Sequence, residues 1–404
     1  MTAQTITTID FESPEFISNP YPAYEYMRSL NGPYWQPHSR SDIEVPGMWL
    51  FSKYDDVVQL LKDSSSISKN LEKVRPGRQL SAFDHIMLNQ DPPNHTRLRN
   101  LVNKVFTPKQ IKLLNPRIEA VVDKLITDMQ SKPNPDFATD FANLLPMMVI
   151  ADFMGVPYED HQMFYSWALN ILCGYDIGVK STDNFVSYKQ SLQEMDEYFA
   201  ILIEKYRKNP SDTLIDSLIA AHDNEDKLSS IELVSMCMLL IIAGHETTAN
   251  MLSSGMNIFL NHPEQFDLLK KHPEYMESAI EETLRFDSPV QRGTFRITTK
   301  ECEFGGKKFH EGEQIVAVLG AANRDPAYFE EPNRFDITRN PNRHLSFGLG
   351  IHFCIGAFLA RNEAFISFTR IIERMPNIKL STSPPIWNKK PLFRGLQSLP
   401  VTIY

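Results

Sequence analysis

The segment from Ser229 to Pro263, SSIELVSMCMLLIIAGHETTANMLSSGMNIFLNHP, constrains the fold of this chain more than any other stretch. Ser229 followed by Glu232 makes a capping box and Pro263 a stop, so the pattern predicts one helix over 229–262. At about 1.5 Å per residue, such a helix crosses a whole globule. Its centre departs from the pattern: Gly244, His245, Glu246, Thr247 and Thr248 interrupt an otherwise apolar run. Burying a carboxyl and hydroxyls costs free energy unless they are hydrogen-bonded or needed. Gly244 removes a side chain where a flat ligand could approach, and a threonine hydroxyl competes for helix hydrogen bonds and opens a local groove. The plain alternative is a polar patch turned to water.

Helical periodicity also runs over about 94–106, 108–130, 140–154, 159–173, 184–208, 211–222, 264–269, 273–286 and from residue 357 onward. Proline and glycine punctuate the first fifty residues, and WLFSKYDDVVQLLKD reads as a strand running into a helix. Between 292 and 320 the character changes to β-prone TFRITT, a Gly-Gly turn and QIVAVLG. The fold class is therefore mainly α with a smaller β-rich region. With 404 residues, 42% hydrophobic and without a linker-like stretch, residues 1–404 read as a single domain. A net charge of −9 argues against general nucleic-acid binding. Cysteines at 173, 237, 302 and 354 form no CxxC pair or disulfide framework, which suits a reducing cytoplasm. The N-terminus lacks a basic region and an apolar run, so neither signal peptide nor anchor is expected. Leu233 to Gly244, the longest near-apolar stretch, falls short of the roughly 20 residues that span a bilayer.

The decapeptide FGLGIHFCIG, Phe347 to Gly356, sets Cys354 among glycines directly ahead of the helical pattern AFLARNEAFISFTRIIERM. A cysteine binds iron only as thiolate, and a helix N-terminus favours the thiolate through free amides and positive potential. Gly348, Gly350 and Gly356 let the backbone turn tightly beside a large planar ligand. Phe347 shields the sulfur and His352 faces a ligand edge. The plain alternative is a small buried hydrophobe.

These residues resemble the signature of the cytochrome P450 superfamily: a phenylalanine, two glycines, a basic residue, the ligand cysteine and a closing glycine. Ala243, Gly244, His245, Glu246 and Thr247 resemble the same family's oxygen-activating stretch. The resemblance implies haem b between the long helix and the cysteine loop, with Cys354 as axial iron ligand. Thr247 then steadies dioxygen and Glu246 helps pass protons inward, while His245 packs or hydrogen-bonds elsewhere. Glu282 and Arg285, three apart in ESAIEETLRF, match the family's Glu-x-x-Arg pair; with Arg334 of EPNRF they are expected to brace the cysteine loop. His95, Arg99, Arg296 and His352 stand where the family places partners of the haem propionates. Arg97 and Lys104 look like contacts to solvent or to a redox partner.

The resemblance implies a cytoplasmic, monomeric monooxygenase with no membrane attachment, inserting one oxygen atom from O2 by hydroxylation or epoxidation. No flavin motif or reductase domain is present, so electrons come from NAD(P)H through a ferredoxin and its reductase. Arg343, His344, Arg361 and Lys104 offer the ferredoxin local positive charge. Phe83, Ile86, Met87, Leu172, Leu239, Leu240, Ala243, Val290 and Leu392 line the expected pocket, favouring an apolar or amphipathic polyketide, terpenoid, steroid or fatty acid. Arg75, Arg78 and Arg292 are exposed-loop arginines or partners of a substrate carboxylate. Two rivals stay open: a peroxide-driven fatty-acid hydroxylase or decarboxylase, and a non-catalytic haem sensor or carrier.

Overall fold

In the computed structural model, which describes residues 8–37, 46–74, 77, 82–175, 182–211, 213–223, 228–390 and 392–403, the central segment forms one helix, Ser230–Asn261. The Ser229 hydroxyl accepts from the Glu232 amide at 3.3 Å, and the Glu232 carboxylate accepts from the Ser229 amide at 2.7 Å. This reciprocal cap satisfies two of the orphan amides every helix start leaves. Length and composition alone would let the helix cross a bilayer, but 72% of its most apolar window is buried inside the protein. Leu144–Met154, His161–Tyr175, Thr182–Lys208, Leu214–Asp223, Met276–Phe286 and Ala357–Arg374 all pack against it. The core they share, including Phe141, Phe164, Leu252, Phe259 and Ile371, is closed to solvent.

The helix expected over 108–130 is two, Pro108–Lys112 and Asn115–Gln130. Pro116 explains the break: in the first turn its missing N–H costs nothing, yet its ring prevents the previous helix from continuing. In the punctuated N-terminal region lie Pro14–Ser18 and Tyr21–Ser29, each with proline in its first turn.

Strands β1 (Tyr34–Pro37), β2 (Gly47–Phe51), β3 (Ile67–Ser68), β4 (Arg296–Thr298) and β7 (Gln314–Ala317) form a sheet of order β1-β2-β7-β4-β3. β5 (Cys302–Phe304) and β6 (Lys307–Phe309) are a separate hairpin around Gly305-Gly306. β2 and β7 run parallel, Met48 opposite Gln314, and β7 is buried along its whole length. The sheet joins the chain's first and last thirds, which carries Lys69 and Arg296 to adjacent strand ends. Near the C-terminus β8 (Lys379–Leu380) pairs with β11 (Val401–Thr402), and β9 (Ile386–Trp387) with β10 (Leu396–Ser398). The β9–β10 loop folds back onto the central helix so closely that Gly395 leaves no room for a Cβ against Asn250.

Candidate active site

Midway along the central helix the burial pattern opens: Ala243 is exposed, and Gly244 and Thr247 are half-buried, between stretches otherwise closed to solvent. Ala243 and Thr247, one turn apart, share a face. The Thr247 hydroxyl donates to the Ala243 carbonyl at 2.8 Å, the back-bond expected of a helical threonine. A Cβ on Gly244 would stand 3.2 Å from Ile150 Cγ1, so the glycine also lets a neighbouring helix approach closely. His245 turns away: its Nε2 lies 3.0 Å from the Asn143 carbonyl and its ring against Tyr165, and burial holds its pKa below the ordinary value. Glu246 is buried and accepts from Lys390 at 2.8 Å and from Asn250 at 3.3 Å. Lys390, on the β9–β10 loop, carried no signal in the sequence.

In the cysteine loop the Cys354 amide donates to the Phe347 carbonyl at 2.9 Å. Gly348 and Gly350 have φ of +69° and +73°, which only glycine adopts without strain, and a Cβ on Gly350 would strike the Leu61 carbonyl. Gly356 is unlike them, with φ of −81° at the start of Ala357–Arg374. Its backbone is ordinary, and its amide and that of Ala357 point at the sulfur. Burial pushes the Cys354 thiol up, and those amides with Arg99 and Arg361 push back toward thiolate. Phe347 lies beside the loop with the Arg361 guanidinium 4.4 Å from its ring.

Beside the loop lies a cluster of bases. The rings of His95 and His352 are 4.4 Å apart, Arg99 donates to the Phe353 carbonyl at 2.7 Å, and Arg296 donates to the Thr294 carbonyl at 3.1 Å. A fifth member, missed in the sequence, is Lys69, buried at the end of β3 and electrostatically coupled to Arg296 and His352. Burial, followed by Arg99 and Lys69, pulls the His95 pKa down to about 4, and burial and the neighbouring cations pull that of Lys69 far down. Among the described residues, Lys69 Nζ and both ring nitrogens of His95 have no hydrogen-bond partner. Asp91 is the acid felt there, and it accepts from the Ser68 hydroxyl and, at 3.1 Å, from the Lys69 amide. Buried donors of like charge without partners are costly unless an anion joins them. This cradle fits a ligand with a doubly anionic edge.

Behind the loop, Glu282 and Arg285 are wholly buried and bonded through two N–H···O contacts, at 2.7 and 2.8 Å. Arg285 also donates to the carbonyls of Asn323, Pro332 and Arg334. The Arg334 side chain, expected to complete the brace, instead stands on the surface and pairs with Glu331. Its place is taken by Arg339, whose Nε lies 3.2 and 3.1 Å from the two Glu282 oxygens. Asn342 and the Asp336 amide fill the remaining acceptor sites of Glu282. Both arginines share the stretch RFDITR, five positions apart. Glu281 leaves Arg285 alone and pairs with Arg361 at 2.6 Å and with His344 at 3.0 Å.

Over residues 21–392 the chain matches the family model described as Cytochrome P450. The chain belongs to the cytochrome P450 family. It is 40% identical to the polyketide biosynthesis cytochrome P450 PksS of Bacillus subtilis, over 88% of this chain and 89% of that protein. A myxobacterial cytochrome P450 in complex with myristic acid superposes with a TM-score of 0.90 at 38% identity, covering 98% of each chain. P450BioI in complex with an acyl carrier protein bearing hexadec-9Z-enoic acid superposes at 0.88, with 36% identity, over 97% and 100% of the two chains. The protein is thus a cytochrome P450 monooxygenase, a haem b enzyme that draws electrons from NAD(P)H through redox partners and takes hydrophobic substrates.

The remaining expected positions divide. Phe83, Ile86, Met87, Leu239 and Leu240 are buried in one apolar cluster, and the turn Ala82–His85 packs against the central helix. Leu392 is buried and Val290 half-buried, tied by a bridge between Val290 and Phe393. The Leu172 side chain, Arg75 and Arg78 lie outside the described residues. Arg292 is buried instead of exposed, donating to Gln36 at 3.2 Å. Arg97, expected to face solvent or a partner, forms an ion pair with Glu232 at the start of the central helix. Of the proposed docking cations, Arg343 and Lys104 are exposed, whereas the His344 side chain is buried against Glu281 and Arg361 is committed to the same carboxylate.

Proposed function

We propose that this cytochrome P450 hydroxylates or epoxidises an apolar, acyl-chain or polyketide-like molecule, acting as a cytoplasmic, monomeric, single-domain enzyme served by a ferredoxin and its reductase. The observation that carries the reading is the open face at Ala243 and Thr247 in an otherwise buried apolar helix. A polyketide biosynthesis relative and structural neighbours bound to myristic acid and to a fatty-acyl carrier protein support this substrate class, while a vitamin D(3) 25-hydroxylase relative and a testosterone-bound neighbour keep steroids beside it.

Cys354 would hold the haem iron, with the amides of Gly356 and Ala357 stabilising the thiolate. Lys69, His95, Arg99, Arg296 and His352 would hold the two propionates, replacing mutual repulsion by charge-assisted hydrogen bonds. The haem supplies oxygen activation and transfer of one oxygen atom to a substrate C–H or C=C bond. Thr247 gives its own proton to Ala243, so its oxygen offers lone pairs to the open face and accepts a hydrogen bond there. Glu246 takes up a proton on a carboxylate oxygen and releases it toward that face. The Glu282–Arg285–Arg339 cluster keeps the cysteine loop in register. With the acid and the threonine both in place, the monooxygenase reading is favoured over a peroxide-driven enzyme or a passive carrier.

The test is optical titration of the ferric protein with fatty acids, polyketides, terpenoids and steroids. Acyl and polyketide ligands should shift the spectrum to the high-spin form, and a response to steroids alone would overturn the substrate class. Cys354→Ser should abolish the red-shifted Soret band of the reduced carbon monoxide complex; a retained band would sink the ligand assignment.

A further inference from the structure

Lys390 touches two environments. On one side its ammonium bonds Glu246; on the other it lines a narrow cleft of about 20 Å³, enough for a single water, between the N-terminal helices and the β9–β10 loop. Tyr24, Gln291, Trp387 and Arg394 also wall this cleft. Two of those walls hold buried polar atoms without a partner among the described residues, Tyr24 Oη and Gln291 Oε1. Buried polar atoms next to a cleft are satisfied by water. A hydrated cleft therefore ends at the ammonium that grips the acid of the central helix.

The surroundings of Glu246 leave Lys390 as its one close cation among the described residues. On its own helix stand Asn250, a neutral donor, and His245, which burial keeps uncharged; from the helix His161–Tyr175 comes Tyr165, a neutral phenol. The Lys390 side chain is 18% exposed and that of Glu246 8%, so the pair is shielded from salt without being sealed from the cleft.

We infer that the cleft is the solvent entrance for protons and that Lys390 is the positioning residue that keeps Glu246 ionised and aimed into it. Each proton passes from cleft water to a Glu246 oxygen and leaves toward the Thr247 face. The carboxylate is thereby regenerated, and Lys390 keeps its own proton throughout. This rests on the reading of Glu246 as proton carrier and is independent of the substrate class.

Isotope-edited infrared spectra of the substrate-free holoenzyme test it, the Glu246 carboxyl band being identified by its loss in Glu246→Gln. In Lys390→Met that band should titrate about 1–3 pH units higher than in the wild type, with Lys390→Arg restoring the original value. Product formed per electron consumed should fall in Lys390→Met, and the solvent isotope effect on turnover should rise. Ile17→Trp, which fills the cleft mouth without touching the pair, should raise the isotope effect and leave the infrared titration unchanged. An unmoved titration in Lys390→Met, or an unmoved isotope effect in both variants, overturns the inference. Should Lys390→Met not fold, Lys390→Gln reads the same band. Failure of every proposed substrate leaves the infrared result standing, so the two readings fail separately.

Discussion

Exchanging Arg339 for methionine removes the second cation from a carboxylate that has no access to water. Arg339 lies about equally near both Glu282 oxygens, at 3.2 and 3.1 Å, and donates to the Glu330 carbonyl at 2.8 Å. Breaking a buried ion pair costs about 3–5 kcal/mol because the survivor is left uncompensated. Here Arg285, Asn342 and the Asp336 amide still hold Glu282, so the low end applies, about 3 kcal/mol. That is roughly a hundredfold in the folding equilibrium. Arg334→Met removes only an exposed pair with Glu331 and should leave stability where it was. Arg339→Lys should fall between, since one ammonium cannot spread over both oxygens as a guanidinium does. Guanidinium unfolding of the holoprotein, followed by tryptophan fluorescence and by the Soret band, reads all three. Equal midpoints for Arg334→Met and Arg339→Met, or a larger loss in Arg334→Met, would refute the assignment of Arg339 to the brace.

Lys69→Met should act with opposite sign on the two forms of the protein. The apoprotein gains stability by losing a buried amino group without a partner among the described residues, while transfer of haem to apomyoglobin speeds up about 10–100-fold, as expected for one lost charge-assisted hydrogen bond; equal rates would remove Lys69 from the cradle. Glu363, fully buried on the helix behind Cys354, has its pKa pushed up by burial to about 8 and one oxygen without a partner. The folded state keeps this proton while the unfolded chain has lost it, so Glu363 lowers stability progressively as pH rises from about 4.5 to 8. Glu363→Gln should remove that fall, giving a larger gain in stability at pH 8 than at pH 5 by chemical denaturation; a gain that does not change with pH would contradict the burial argument.

What the sequence made legible was local. A cap and a stop around an apolar run specify Ser230–Asn261 almost to the residue, because both signals lie within one turn of the helix they bound. The glycines of the cysteine loop were readable because positive φ at 348 and 350 is a demand of single residues. The hidden parts depend on chain separation. Lys390 lies 144 positions from Glu246, and no periodicity connects them. Lys69 reaches the basic cradle only through the pairing of β3 with β4, a long-range contact. At Gly244 a missing side chain shows that space is needed without showing all that fills it; Ile150 takes one side.

The parallel pairing of β2 with β7 has a consequence for how the protein is made. The basic cradle draws on residues from 69 to 352, and Cys354 follows two positions later. A ribosome must therefore release the whole stretch from Lys69 to Cys354 before any complete haem-binding surface exists. Until then the amphipathic helices of the middle region wait with apolar faces uncovered, the condition under which large chains are most prone to aggregate. Contacts of such sequence separation also close slowly. Cofactor capture in this protein is then a late event, and haem supply during expression should govern how much of the chain reaches its soluble form.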